Sequence, residues 1–381
     1  MYAKTIAGAL LCAHSLFAFA QYSAQYIETS KAWSSTVADF NNDGHDDIFI
    51  SGHDEHDRIW YWTESGYVPS PHEFVWVDRH ACDAADFNLD GLLDLFCTVG
   101  ADRGNGMGPN ELWIQSAGDV FTKMPVHGAE DPYGRGRYPV FFDFNHDGYP
   151  DIYVTNEATI RSDGQININH VFVNQAGTGF VEATTLATGP RGFLCTGKGD
   201  VNHDGWDDLL VCYEGGPGHI YINNQAGDFT GLVSPALSVK MRDAKLEDMN
   251  GDGLDDLVLI NGNNALQIWL NTGHEPYFVS PVYEKKLIYQ SKWLTIGDFN
   301  RDGIKDVYVV LQKSDCKTTL QDVAPDVVFE GRTGPTWFMK KQTQAYSGCG
   351  HMAETVDDSK VLLLNGGVAY RGPNYVIKWG E

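Results

Sequence analysis

Six stretches of this chain set acidic and amide side chains at every second position of a nine-residue loop. The first, Asp39-Phe-Asn-Asn-Asp-Gly-His-Asp-Asp47, reads D-F-N-x-D-G-x-x-D. The others begin at Asp86, Asp143, Asp200, Asp248 and Asp298, at intervals of 47, 57, 57, 48 and 50 residues. Oxygen donors at alternate positions, with a Gly at the sharp bend, wrap a loop around a hard cation, and Ca²⁺ takes roughly six to eight oxygens. Positions 1, 3, 5 and 9 are Asp, Asn, Asp and Asp in every copy. The candidate ligands are Asp39, Asn41, Asp43 and Asp47; Asp86, Asn88, Asp90 and Asp94; Asp143, Asn145, Asp147 and Asp151; Asp200, Asn202, Asp204 and Asp208; Asp248, Asn250, Asp252 and Asp256; and Asp298, Asn300, Asp302 and Asp306. Position 7 varies (His45, Leu92, Tyr149, Trp206, Leu254, Ile304), which suits a residue donating only its carbonyl. Up to six structural Ca²⁺ ions are expected. The loop lacks the Glu at position 12 that an EF-hand uses, and strand-like residues such as Ile48-Phe-Ile50 follow at once. The ion would therefore pin a β-hairpin.

A second recurrence is basic. About six to nine residues before each loop stand Lys31, Arg79 with His80, Arg135 with Arg137, Arg191, Lys240 with Arg242, and Lys292. His351 holds the equivalent place in a degenerate seventh unit near 354–364, where the Asn and Gly are gone. His53, His56, Arg103 and Arg161 fall in loops of the same end. The chain has only 27 Lys and Arg, so a ring of them on one rim suggests a basic funnel. Arg forks suit carboxylate and sulfate, and Trp33, Tyr133, Tyr138 and Trp293 could stack on sugar faces. Arg79, Arg135, Arg137, Arg191, Arg242 and Lys292 are the candidate ligand-binding residues, and an anionic extracellular glycan is the expected partner. An alternative is a polysaccharide lyase acting by β-elimination, with His80 or Tyr133 as base, Arg135 or Arg137 neutralising the carboxylate, and Tyr138 as acid. A protein–protein adhesion module is a further alternative. Gly100 to Asn110 is glycine-rich but lacks the lysine and helix of a phosphate loop.

The elements that must carry these residues are strands. Each repeat reads as a strand into the loop, a strand out, a third strand with a central aromatic (Arg58-Ile-Trp-Tyr-Trp62, Glu111-Leu-Trp-Ile-Gln115), a short turn and a fourth strand. Seven third strands can be counted; the last, Tyr375 to Trp379, runs into the C-terminus, while a spare strand lies near Ala24 to Thr29. Pairing the two gives an all-β, seven-bladed propeller of four-stranded antiparallel blades, closed by the N-terminal strand. The expected organisation is a signal peptide over residues 1–20, with an Ala18-Phe-Ala20 cleavage site, then one domain over 21–381.

Formal charge is −24. Eighteen Asp sit at loop positions 1, 5 and 9, so the acidity is largely metal ligation and argues against nucleic-acid binding. No stretch after the signal peptide is long and apolar enough to span a bilayer. A secreted or extracellular monomer is expected, or a periplasmic one in a bacterium. Cys82 and Cys97 flank Asp86 at −4 and +11, and Cys195 and Cys212 flank Asp200 at −5 and +12. Both pairs sum to +7, which sets them opposite each other across one hairpin register. Disulfides Cys82–Cys97 and Cys195–Cys212 are expected, with Cys316–Cys349 as the third.

The motif, followed by an apolar strand and by turns such as Asn174-Gln-Ala-Gly-Thr-Gly-Phe180, resembles the FG-GAP/VCBS repeat family, the propeller of integrin α-subunits and of many secreted bacterial proteins. The resemblance covers nearly all of the chain after the signal peptide. It implies calcium in the loops named above, loops on one face, and ligand on the other.

Overall fold

The computed structural model describes residues 22–30, 32–52, 57–75, 77–100, 108–157, 167–183, 195–213, 216–232, 234–312, 326–332, 341–343, 352–364 and 372–379. They form seven antiparallel four-stranded sheets arranged as the blades of a propeller. Blade 1 consists of Ala32–Ala38, Asp47–Gly52, Arg58–Tyr61 and Val68–Pro69. Blades 2 to 6 repeat that order, with inner strands Arg79–Ala85, Gly136–Phe142, Cys195–Gly199, Met241–Glu247 and Gln290–Gly297. Blade 7 takes Met352–Val356, Lys360–Leu364 and Gly372–Trp379 from the C-terminal end, and its fourth strand is Tyr22–Ser30. The expected closure by the N-terminal strand is what the sheet order gives, with Tyr22 opposite Trp379 and Ser30 opposite Gly372.

Strand pattern follows position in the blade. Second strands such as Asp47–Gly52 and Asp151–Asn156 are buried along their whole length, because a central strand is covered by a neighbouring blade on each face. The core is thus seven layers, one between each pair of blades. Phe49, Phe74, Leu95 and Trp113 fill the layer between blades 1 and 2; Leu362, Val376, Ile48 and Ile50 fill the one that closes the ring.

The second residue of each nine-residue motif (Phe40, Phe87, Phe144, Val201, Met249, Phe299) is buried, so the loop is anchored by an apolar plug as well as by its oxygens. Asx residues just before several third strands add a further repeat. Asp57, Asn110, Asn169 and Asp326 each accept, through Oδ1, the amide at the end of their second strand: Gly52, Val99, Asn156 and Leu311. Cys82–Cys97 and Cys195–Cys212 are disulfide-bonded across inner and second strands, in the register expected. Cys316 and Cys349 lie outside the described residues, as does the signal-peptide region.

Candidate functional site

The six acidic loops join inner to second strands, so they share one end of the propeller. Each is wound on its own amides. In the first, the Asp39 carboxylate accepts the amides of Asp43 (3.0 Å) and Gly44 (2.7 Å), and Asp43 Oδ1 accepts that of His45 (2.9 Å). Asn41 Oδ1 accepts the Asp43 amide at 2.9 Å. Two left-handed residues make the winding: position 6, always Gly, and position 4, which is Leu89, His146 or Arg301 in three copies, all near φ 60°. Only short polar residues and Gly visit that region readily, so a left-handed Leu89 is held there by the rest of the loop.

Position 9 has a second role that the spacing did not reveal. Asp47, Asp94, Asp151, Asp208, Asp256 and Asp306 are all fully buried. Asp47 Oδ2 accepts the amide of Phe40 and Oδ1 that of Trp62, at 3.0 and 2.8 Å. Asp151 does the same with Phe144 and Asn174, and Asp256 with Met249 and Asn271. Each carboxylate thereby ties the loop to the far end of the third strand. Burial pushes all six up to about 7, and the carboxylates at positions 5 and 1 push the same way.

Among the described residues no three His, Cys, Asp or Glu side chains close to metal-holding distance. The donor set still fits a hard cation. It is all oxygen, two of its expected members are Asn Oδ1 and a main-chain carbonyl rather than acids, and its carboxylates repel one another across the loop. In the first loop each oxygen of Asp39, Asp43 and Asp47 accepts a single N–H and keeps a lone pair for a cation.

The opposite end holds the recurrent basic residues, and there the backbone explains the recurrence. Five of the seven inner strands carry a register shift at one shared level, between Ala32 and Ser34, Arg79 and Ala81, Gly136 and Pro139, Met241 and Asp243, and Ser291 and Trp293. His80, Arg137, Arg242 and Lys292 occupy that bulge. A bulge re-aims a side chain, so the periodicity belongs to the strand.

Not all of these groups face solvent. Arg79 is 0% exposed. Its Nη1 contacts Asp57 at 2.8 Å and its Nη2 contacts Glu111 at 2.7 Å, with its guanidinium over Phe74 and Trp113. Burial alone would raise the Glu111 carboxyl, but Arg79 and Lys123 hold it below the usual range. The expectation that Arg79 meets a ligand is corrected: it joins blades 1 and 2. Arg137 is likewise buried. Its Nη1 donates to His80 Nε2 at 2.7 Å and its Nη2 to Glu157, while His80 Nδ1 donates to the Gly136 carbonyl at 3.1 Å. That leaves neither His80 nitrogen free to take a substrate proton. Tyr138 is pushed up by burial and by Asp243, and its ring meets Trp293 edge to face at 6.2 Å.

Arg135 is 24% exposed on its side chain and pairs with Glu157 at 3.1 Å; Tyr133 is 44% exposed. Lys240 is exposed, and Arg242 is half-buried with Nη1 3.5 Å from the Ser291 carbonyl. Trp33 stands 5.9 Å from the His80 ring. Lys292 lies on the inner strand of blade 6. Lys31, His53, His56, Arg103, Arg161, Arg191 and His351 lie outside the described residues.

A family model for FG-GAP-like repeats matches residues 39–97, 86–154 and 248–309. Over those stretches the propeller is built of FG-GAP-like repeats. It is similar to integrin alpha pat-2 of Caenorhabditis elegans, 25% identical over 264 residues that make up 60% of this chain and 21% of that protein. It is also similar to integrin alpha-3 of Cricetulus griseus, 32% identical over 139 residues, covering 34% and 13%. The FG-GAP propeller thus spans about a fifth or less of the length of these relatives. Among solved structures, BBS1N in complex with ARL6DN shares the fold, with TM-score 0.58, 11% identity, and 94% and 97% of the two chains covered. No helix of the described residues is long and apolar enough to cross a membrane.

Proposed function

We propose that this FG-GAP propeller is an extracellular binding module, with structural Ca²⁺ in its six loops and an anionic glycan as ligand on the opposite face. The observation that carries the ligand class is the set of cations still reachable on that face. Arg135, Lys240 and Arg242 retain exposure, as does Tyr133, on a molecule whose formal charge is −24. Two disulfides among the described residues and the integrin α relatives support an oxidising, extracellular setting. The lyase reading draws no support from His80, whose two nitrogens are both engaged.

The test is a glycan array in calcium buffer, with sulfated, uronate and neutral members. The paired change Arg135→Ala with Arg242→Ala should weaken binding to anionic members by at least about tenfold, a loss typical of charged contacts, with the melting temperature unmoved. Equal binding of neutral glycans, or indifference to both substitutions, would overturn the proposal. A rise in ultraviolet absorbance on incubation with a uronate polymer would instead establish elimination.

A further inference from the structure

The inner strands enclose a cavity of about 410 Å³ on the propeller axis, lined by all seven blades. One end is formed by Tyr138 of blade 3 and Trp293 of blade 6. Those blades stand three apart, the widest separation in a ring of seven, so their edge-to-face contact spans the axis. The other end reaches Asp46 and Glu247, at the acidic-loop face. Asp83, Asp243, Lys245 and Glu354 line the length between them. The wall therefore carries five carboxyl groups and one ammonium.

Four of those carboxylates also have structural partners: Asp46 accepts the Asp357 amide, Glu247 pairs with Lys305, and Asp83 and Asp243 join neighbouring blades. Asp83 Oδ2 accepts the Phe141 amide at 2.7 Å, and Asp243 Oδ2 the Leu294 amide at 2.7 Å, stitching blade 2 to 3 and blade 5 to 6. Glu354 and the Lys245 ammonium differ. Among the described residues neither makes a hydrogen bond or a contact ion pair, although Glu354 is the strongest influence on Lys245 and holds its proton on against burial. A charged group kept in a cavity without a direct partner is available to a guest.

We propose that the axial cavity binds an organic ammonium group, received by the aromatic faces of Trp293 and Tyr138 and by the carboxylates of Glu354 and Asp243. Sign decides the ligand class. An anion would face five carboxyl groups, and an uncharged guest would gain nothing from the field. A cation gains from the carboxylates and from the ring faces together, the combination that recognises quaternary ammonium groups. Lys245 opposes it but is outnumbered. The site lies on the axis and favours the charge opposite to that of the glycan, so it stands or falls apart from the proposed function.

The experiment is calorimetric titration of the calcium-loaded protein with choline, and with 3,3-dimethylbutan-1-ol as its uncharged isostere, alongside tryptophan fluorescence. Choline should bind, with the isostere at least about tenfold weaker, a gap a desolvated cation–π contact supports. Trp293→Leu and the isosteric Glu354→Gln should each weaken choline by at least about tenfold, and Lys245→Met should tighten it several-fold. Should Trp293→Leu fail to fold by circular dichroism, Glu354→Gln and Lys245→Met still decide. Absence of choline binding, equal affinity for the isostere, or weaker binding by Lys245→Met would overturn the proposal.

Discussion

Single side chains in this propeller divide by whether their partners are main-chain amides or other charges. The position-9 aspartates belong to the first group. Asp151→Ala would strand the amides of Phe144 and Asn174, and two buried unsatisfied donors cost about 2–5 kcal/mol. Urea denaturation in EDTA, where calcium plays no part, should show that loss, with Asp151→Asn losing about half because one oxygen remains. Arg79 belongs to the second group. Arg79→Met leaves Asp57 and Glu111 buried without their counter-charge and should cost about 3–5 kcal/mol, with glycan binding by the surviving folded protein unchanged. Asp326 provides a pH signature. Burial raises it to about 7 while Leu311 and Tyr308 donate to it. The folded state then keeps a proton that the unfolded chain sheds near 3.8. Its contribution is full below that value and fades as pH climbs to 7. Asp326→Asn should remove this slope, gaining stability over the parent above pH 7 with a ceiling of about 4 kcal/mol. Melting temperature followed across pH in both proteins measures it.

Among elements, the seventh hairpin stands apart from the six acidic loops. Where they repeat D-x-N-x-D-G-x-x-D, it has Asp357, Asp358 and Ser359 before Lys360. Lys360 pairs with Asp357, and Lys305 bridges Asp358 and Glu247 at 2.8 and 3.2 Å. Asp46 and Asp357 exchange amides and carboxylates across the junction of blades 1 and 7. Lysine ammonium groups supply there the positive charge proposed for calcium elsewhere. Hydrogen exchange in EDTA should accelerate at 39–47, 86–94 and the other four loops and leave 352–364 protected; equal acceleration everywhere would refute this division. The six loops, the blade count and the two described disulfides could be read from the chain, because each rests on an exact spacing. The bulge could not. His80, Arg137 and Arg242 recur at one offset in the sequence, but a register shift needs the partner strand to become visible. Nor could the spacing show that Arg79 turns inward, since Asp57 and Glu111 lie 22 and 32 residues away. The Asn ends of third strands were legible only in retrospect: Asn174, Asn223 and Asn271 each donate Nδ2 to a carbonyl of the preceding blade, at Phe87, Phe144 and Val201.

For the whole molecule, stability and calcium are expected to be coupled through all six loops. A ligand that binds only the folded state adds about 2.7 kcal/mol per site at a hundred times its dissociation constant. Chelation should therefore lower the melting temperature by more than about 10 °C, with calcium restoring it. A transition indifferent to EDTA would remove calcium from the account. The same acidic surface that awaits the ions makes the ion-free protein self-repelling, so raising salt should narrow the gap between the two forms.

Tyr22 lies directly across from Trp379 in the closing blade. Paired residues in adjacent strands are only about 5 Å apart, so the first and last described strands lie side by side in one blade. Seen this way the molecule is a necklace whose clasp is a β-ladder. A linker of a few residues joining those ends would make the clasp covalent, and fresh termini could then be opened between other blades. A nascent chain, by contrast, must hold Tyr22–Ser30 without its partner until Gly372–Trp379 has been made, so the ring cannot close before its last blade exists.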